Sequence, residues 1–133
     1  MVLRWYTVVV DCHDVRKQAA WWAEAIGWKT IYASDNECVN IPGWVDEAAT
    51  EDTPWEQIGP GMVFVPVPEG KTVKNRLHFD FAPHTSQDRD AEIARLEQLG
   101  ATRVDIGQPD SASFTVLADP EGNEFCVLSS RDS

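Results

Sequence analysis

Apolar positions along the chain fall into two runs of the same design. Val15, Ala19, Trp22 and Ile26 recur at steps of four, three and four, and Ile93, Leu96 and Leu99 at steps of three, so each run predicts a helix that buries one face. Gly27 and Gly100 follow where a left-handed C-terminal cap is wanted. Asp14 is placed to cap the start of the first helix, and Thr85 or Ser86 the start of the second. The segment from Trp22 to Thr30 overlies that from Arg95 to Arg103, helix end running into strand in both. Each helix follows a β-branched or aromatic run, Tyr6–Val10 in one half and Leu77–Phe81 in the other. In the second run Leu77, Phe79 and Phe81 share one face and Arg76, His78 and Asp80 the other, so one side packs on a helix and the other meets something polar. Further strands are predicted at Lys29–Ala33, Glu37–Ile41, Met62–Val67, Thr102–Ile106, Ser113–Leu117 and Glu124–Leu128. Between the last two, Asp119-Pro-Glu-Gly-Asn123 reads as a hairpin turn, with Pro fixing φ and Gly free to take a positive one. The pattern is an α+β chain, one domain over residues 1–133, built from two tandem βαβββ modules at about 1–70 and 71–133.

One stretch breaks the symmetry. Trp44 to Gly61 carries Asp46, Glu47, Glu51, Asp52 and Glu56 with no base, together with Trp44, Pro54, Trp55 and Pro60, whereas its counterpart in the second half is a tight turn. A loop this long is either a solvated excursion with its tryptophans tucked onto the body or a lid whose Trp44 or Trp55 stacks on a ligand.

The duplicated unit, with Ala25-Ile-Gly-Trp28, Lys74-Asn-Arg-Leu-His-Phe-Asp80 and Leu117-Ala-Asp-Pro-Glu-Gly-Asn-Glu-Phe125, resembles the vicinal oxygen chelate superfamily in its glyoxalase-like branch over nearly the whole chain. The resemblance implies the glyoxalase/bleomycin resistance/dioxygenase fold, with the modules forming a curved mixed sheet around a cavity. It does not select among the activities of that superfamily, which include glyoxalase I, extradiol dioxygenases, an epimerase, fosfomycin-modifying enzymes and metal-free drug-sequestering proteins. Its metal enzymes place ligands at the start of each module and on the last strand of each. Carried over, these positions fall on Thr7, near Val65, on His78 and on Cys126. One imidazole, a weak hydroxyl, a thiol and a valine make a poor set for a divalent ion, so no metal or other cofactor is expected, and any metal would rest on His78 with help from Asp80, Asp11 or Glu124.

The remaining candidates are read individually. His78 and Asp80 face the same side and are the candidate catalytic pair, His78 as acid–base and Asp80 tuning it; the alternative is a hydrogen-bonded polar layer of His78, Asp80 and Arg76 lining a wet cleft. Cys126 reads as a buried small hydrophobe on the ligand side. His13 and His84, at the strand-to-helix corners, read as exposed linkers. Trp22 belongs to the first helix's core face, and Trp21, about 100° round the helix, is expected at a surface or contact edge. Trp5 shares parity with Thr7, so Trp5, Trp44 and Trp55 are candidates for an aromatic clamp on a flat or cationic ligand, with ordinary packing as the alternative. The ligand-contact set is therefore Trp5, Thr7, Trp44, Trp55, Val65, Arg76 and Cys126.

Charge narrows the partners. The formal net charge of −11 repels phosphate backbones and anionic headgroups, which argues against nucleic acid and membrane surfaces and favours cationic ligands. Three cysteines without CxxC spacing and the lack of an apolar leader run point to a reducing cytoplasm. The leading expectation is a metal-independent small-molecule-binding protein that sequesters an aromatic or cationic drug or metabolite. A lyase, isomerase or dioxygenase of the same fold using His78 is the second reading, and an acidic interaction module the third. The resemblance further implies a homodimer.

Overall fold

The computed structural model describes residues 2–133. The chain divides into two compact units, one ending at Gly70 and the other beginning at Lys71. The first contains β1 (Thr7–Cys12), α1 (Val15–Ile26), β2 (Trp28–Ala33), β3 (Cys38–Pro42), α2 (Glu47–Glu51) and β4 (Gly61–Pro66). The second contains β5 (Phe79–Phe81), α3 (Arg89–Leu99), β6 (Thr102–Arg103), β7 (Thr115–Ala118) and β8 (Glu124–Val127). The sheets have the same topology, β1-β4-β3-β2 and β5-β8-β7-β6. In each, the strand before the long helix pairs in parallel with the last strand, and the other neighbours are antiparallel. This is the α+β arrangement the repeat predicts, two four-stranded mixed sheets built on one plan. Among the described residues no helix is long and apolar enough to cross a membrane.

α1 starts where the Asp14 side chain accepts from the Lys17 N–H and stops at Gly27, whose φ of +69° suits a residue without a Cβ. Its buried face is wider than one apolar stripe. Val15, Ala19 and Trp22 form one ridge; Gln18, Trp21 and Ala25 form a second at steps of three and four. Trp21 is thus 8% exposed rather than at the surface, held edge-on to Trp22 with ring centres 5.0 Å apart. On β3, facing away from Val39 and Ile41, Asn40 is fully buried; its Nδ2 donates to the Ala19 carbonyl of α1 and its Oδ1 accepts from Thr30 Oγ1 of β2. One amide side chain thereby ties helix to sheet.

Several predicted boundaries move in the second unit. α3 is capped by Asp88, whose Oδ1 accepts from the Asp90 and Ala91 N–H groups, not by Thr85 or Ser86. Those two residues are taken up in a turn with His84, and Thr85 also donates to the Arg131 carbonyl. β5 begins at Phe79 instead of Leu77, because Arg76 and Leu77 form a bend in which Leu77 is 89% exposed. β6 stops at Arg103, since Asp105 to Gln108 close a turn around Gly107, whose φ is +89°. The hairpin turn forms as predicted: buried Asp119 accepts from the Glu121 and Asn123 N–H groups, and Gly122 has φ +90°.

Candidate functional site

The second unit assembles three chemically active side chains on one sheet face. In a parallel ladder directly paired residues point the same way, and Asp80 pairs with Cys126. His78 precedes Asp80 by two and shares its side; its Nε2 lies 3.2 Å from Asp80 Oδ1. The donor atoms of His78, Asp80 and Cys126 all lie within 4.8 Å of one another, and these are the described residues that could hold a metal. His78 and Asp80 side chains are 40% and 48% exposed, whereas Cys126 is buried. Burial pushes the Cys126 thiol up, and the Asp80 carboxylate adds to this by its charge and by accepting the thiol hydrogen, against a smaller opposing pull from Lys74. Asp80 is thus the group that both the imidazole and the thiol face.

Glu124, two residues before Cys126 on β8, fixes the approach to this cluster. Its Oε2 accepts from Lys71 Nζ at 2.9 Å and from the Asn75 N–H at 3.2 Å, while Asn75 Nδ2 donates to the Glu124 carbonyl. Burial acts to raise the Glu124 carboxyl, but the Lys71 hydrogen bond and charge and the backbone N–H donors outweigh it and leave it below the usual carboxylate range. Glu124 thus holds Lys71 and Asn75 by its side chain and carbonyl rather than by a ladder, and β5 starts only at Phe79.

The corresponding strands of the first unit carry no imidazole or thiol on this face. Thr7 pairs with Gly61, Val9 with Val63 and Asp11 with Val65. With Thr7 as the counterpart of His78, Asp80 corresponds to Val9 and Cys126 to Val63; Val65 sits one two-residue step further along. The expected position near Val65 thus moves to Val63, and neither valine can bind a metal. Thr7 Oγ1 is 3.4 Å from the Val8 carbonyl.

The other sequence candidates are more scattered. Arg76 lies exposed in the bend ahead of β5, outside the His78–Asp80 contact, and forms no ion pair among the described residues. Trp5 is 65% exposed, with its indole N–H donating to the Thr7 carbonyl. Trp44 and Trp55 are about half exposed on the 44–61 segment, which folds into α2, capped by the Asp46 side chain on the Ala49 N–H, and a 3₁₀ turn at Trp55–Gln57. Sequence reasoning missed Arg4, Tyr6, Lys71 and Asn75. Arg4, Lys71 and Asn75 meet partners far along the chain, Trp55, Ile58 and Glu124, while Tyr6 meets Arg4 two residues away, and the one local sign was a base set among aromatics at Arg4-Trp5-Tyr6.

Comparison with known proteins places this geometry. The family model for the glyoxalase-like domain matches residues 7–128. The fosfomycin resistance protein FosX from Mesorhizobium loti is similar in fold, with TM-score 0.68 at 14% identity, covering 96% of this chain and 92% of that one. FosX from Listeria monocytogenes, complexed with Mn(II) and sulfate, gives 0.69 at 13% identity over 98% and 93%. A glyoxalase/bleomycin resistance/dioxygenase family enzyme from Burkholderia phytofirmans PsJN gives 0.67 at 16% identity over 97% and 100%. No curated protein matches the chain.

Proposed function

The chain belongs to the glyoxalase-like domain family, and from that premise we propose that it is a small-molecule-binding member that holds an aromatic or cationic organic ligand without a resident divalent metal. The observation that carries this reading is the β1–β4 register, which sets Thr7, Gly61, Val63 and Val65 where the superfamily's metal enzymes draw half their ligands. A hard divalent ion wants imidazoles and carboxylates. The first unit supplies neither at these positions, and the second supplies His78 and Asp80 with a thiol that burial and Asp80 keep protonated. This donor set does not fit the ion, so the ligand chemistry rests on side chains alone. His78 and Asp80 then form the polar contact point: Asp80 is an anionic acceptor for a protonated or hydroxylated ligand, and His78 is a second hydrogen-bonding group beside it.

The test is elemental analysis of protein purified without chelator, followed by fluorescence titration with aromatic and cationic compounds in the presence and absence of Mn²⁺ and Zn²⁺. Metal-free protein that binds equally well in both conditions is the expected result. Stoichiometric bound metal, or binding that appears only with metal, would overturn it. The 3.2 Å contact between His78 and Asp80 favours one second reading, acid–base chemistry on the bound ligand of the lyase or isomerase kind. Under that reading His78→Ala abolishes turnover and leaves ligand affinity within a few fold; under simple binding no turnover is found and the same variant weakens affinity by about tenfold, the loss of one charge-assisted contact.

A further inference from the structure

Arg4 has an unusual seat. Its Cζ lies 4.8 Å from the centre of the Tyr6 ring and 5.3 Å from that of Trp55, and its Nε donates to the Ile58 carbonyl at 3.2 Å. Both rings are more than half exposed, and neither α2 nor the 3₁₀ turn at Trp55–Gln57 buries a residue, so this segment has little apolar burial to hold it. Acidic side chains on the same segment, Asp46, Glu47, Glu51, Asp52 and Glu56, leave Arg4 to the rings and the carbonyl: it forms no ion pair among the described residues.

We propose that Arg4 is a cationic latch: by placing its guanidinium against Tyr6 and Trp55 and bonding Ile58, it holds the 44–61 segment to the chain leading into β1, and the segment opens when that cation leaves the rings. The physical basis is that the faces of both rings attract the guanidinium, while at an exposed site this attraction remains weak enough to release. Segments with few buried contacts open locally at low cost, so one such contact governs how often this one opens. The latch follows from contacts within the first unit and does not depend on the function proposed above. It also places Trp55, a candidate ligand contact, under the control of a residue outside the His78 cluster.

The test is limited digestion of the full-length protein under native conditions with a protease that cuts after glutamate, following cleavage at Glu47, Glu51 and Glu56. Arg4→Met keeps the stem and removes the charge, and should raise cleavage there about tenfold while leaving cleavage elsewhere and the melting temperature unchanged. Trp55→Leu should raise it similarly, and combining the two should add little. Tetramethylammonium chloride should accelerate cleavage of the wild type more than sodium chloride at equal ionic strength, since a quaternary ammonium competes for the same ring faces. Protection of Arg4→Met equal to wild type, additive effects of the two substitutions, or identical effects of the two salts would each overturn the latch.

Discussion

Replacing Glu124 by Gln removes one charge and almost no volume from the bond network that leads into the His78 cluster. In the wild type Lys71 Nζ and the Asn75 N–H both donate to Glu124 Oε2, and the Lys71 and Glu124 side chains are only 19% and 11% exposed. A hydrogen bond to a charged group contributes about 1.5–3 kcal/mol, and breaking a buried ion pair costs about 3–5 kcal/mol. The amide keeps an acceptor oxygen for Asn75, so the expected loss lies near the lower bounds, about 2–3 kcal/mol at pH 7. The pH dependence follows from the direction of the shift. The Glu124 carboxyl titrates lower in the folded chain than in the unfolded one, so its stabilisation is complete above the unfolded value of about 4.3 and is lost as pH falls through the folded value. Urea unfolding followed by tryptophan fluorescence at pH 7 and at pH 3 measures both. With a urea slope of about 1–3 kcal/mol per molar, the midpoint of the variant should fall by roughly 0.7–3 M at pH 7, and the gap from wild type should narrow at pH 3. A gap of equal size at both pH values would refute the reasoning, because the lost energy would then not belong to the carboxylate.

Two further predictions rest on other single side chains. Asn40→Ala removes the buried hydrogen bond that ties α1 to the sheet and a second, part-buried one to Thr30 of β2, and leaves a small void, so it should cost about 2–4 kcal/mol in the same unfolding assay; a loss below about 1 kcal/mol would show that the link is dispensable. Asp80→Asn removes the charge that helps hold the Cys126 thiol up, so more thiolate is present at a given pH and alkylation of folded protein should speed up severalfold, though burial, the larger cause, continues to slow it. Unchanged alkylation across pH 7–9 would mean that burial alone sets the reactivity.

What the sequence made legible was local. The helix periods, the glycine caps at Gly27 and Gly100 and the Asp119–Asn123 turn are decided by neighbours a few residues apart, and the chain adopts them. Repetition of that local pattern was enough to reach the strand–helix–three-strand plan of both units. The departures come from bonds that span long separations or from how wide a packing face is. Trp21 goes inside because the buried face of α1 is two ridges wide, which the spacing of one apolar stripe does not show. β5 starts only at Phe79, and Asn75 ahead of it is held by Glu124, far along the chain. The site shows the same division: parity along one strand correctly put His78 and Asp80 together, while the choice between Val63 and Val65 required a ladder register that no single segment encodes.

The parallel pairing of first with last strand has a consequence for the order in which the protein can form. Among the described residues β1 pairs within its unit with β4 alone, and β5 with β8 alone. Each sheet therefore closes only after its helix and two intervening strands have been synthesised, and contacts between residues so distant in sequence form slowly relative to the helices. As the chain leaves the ribosome, Thr7–Cys12 must wait for Gly61–Pro66, and Phe79–Phe81 for Glu124–Val127. The strand edge carrying Asp80 becomes fixed only when β8 arrives, so in the growing chain the His78, Asp80 and Cys126 side chains stay apart until Glu124–Val127 has been made.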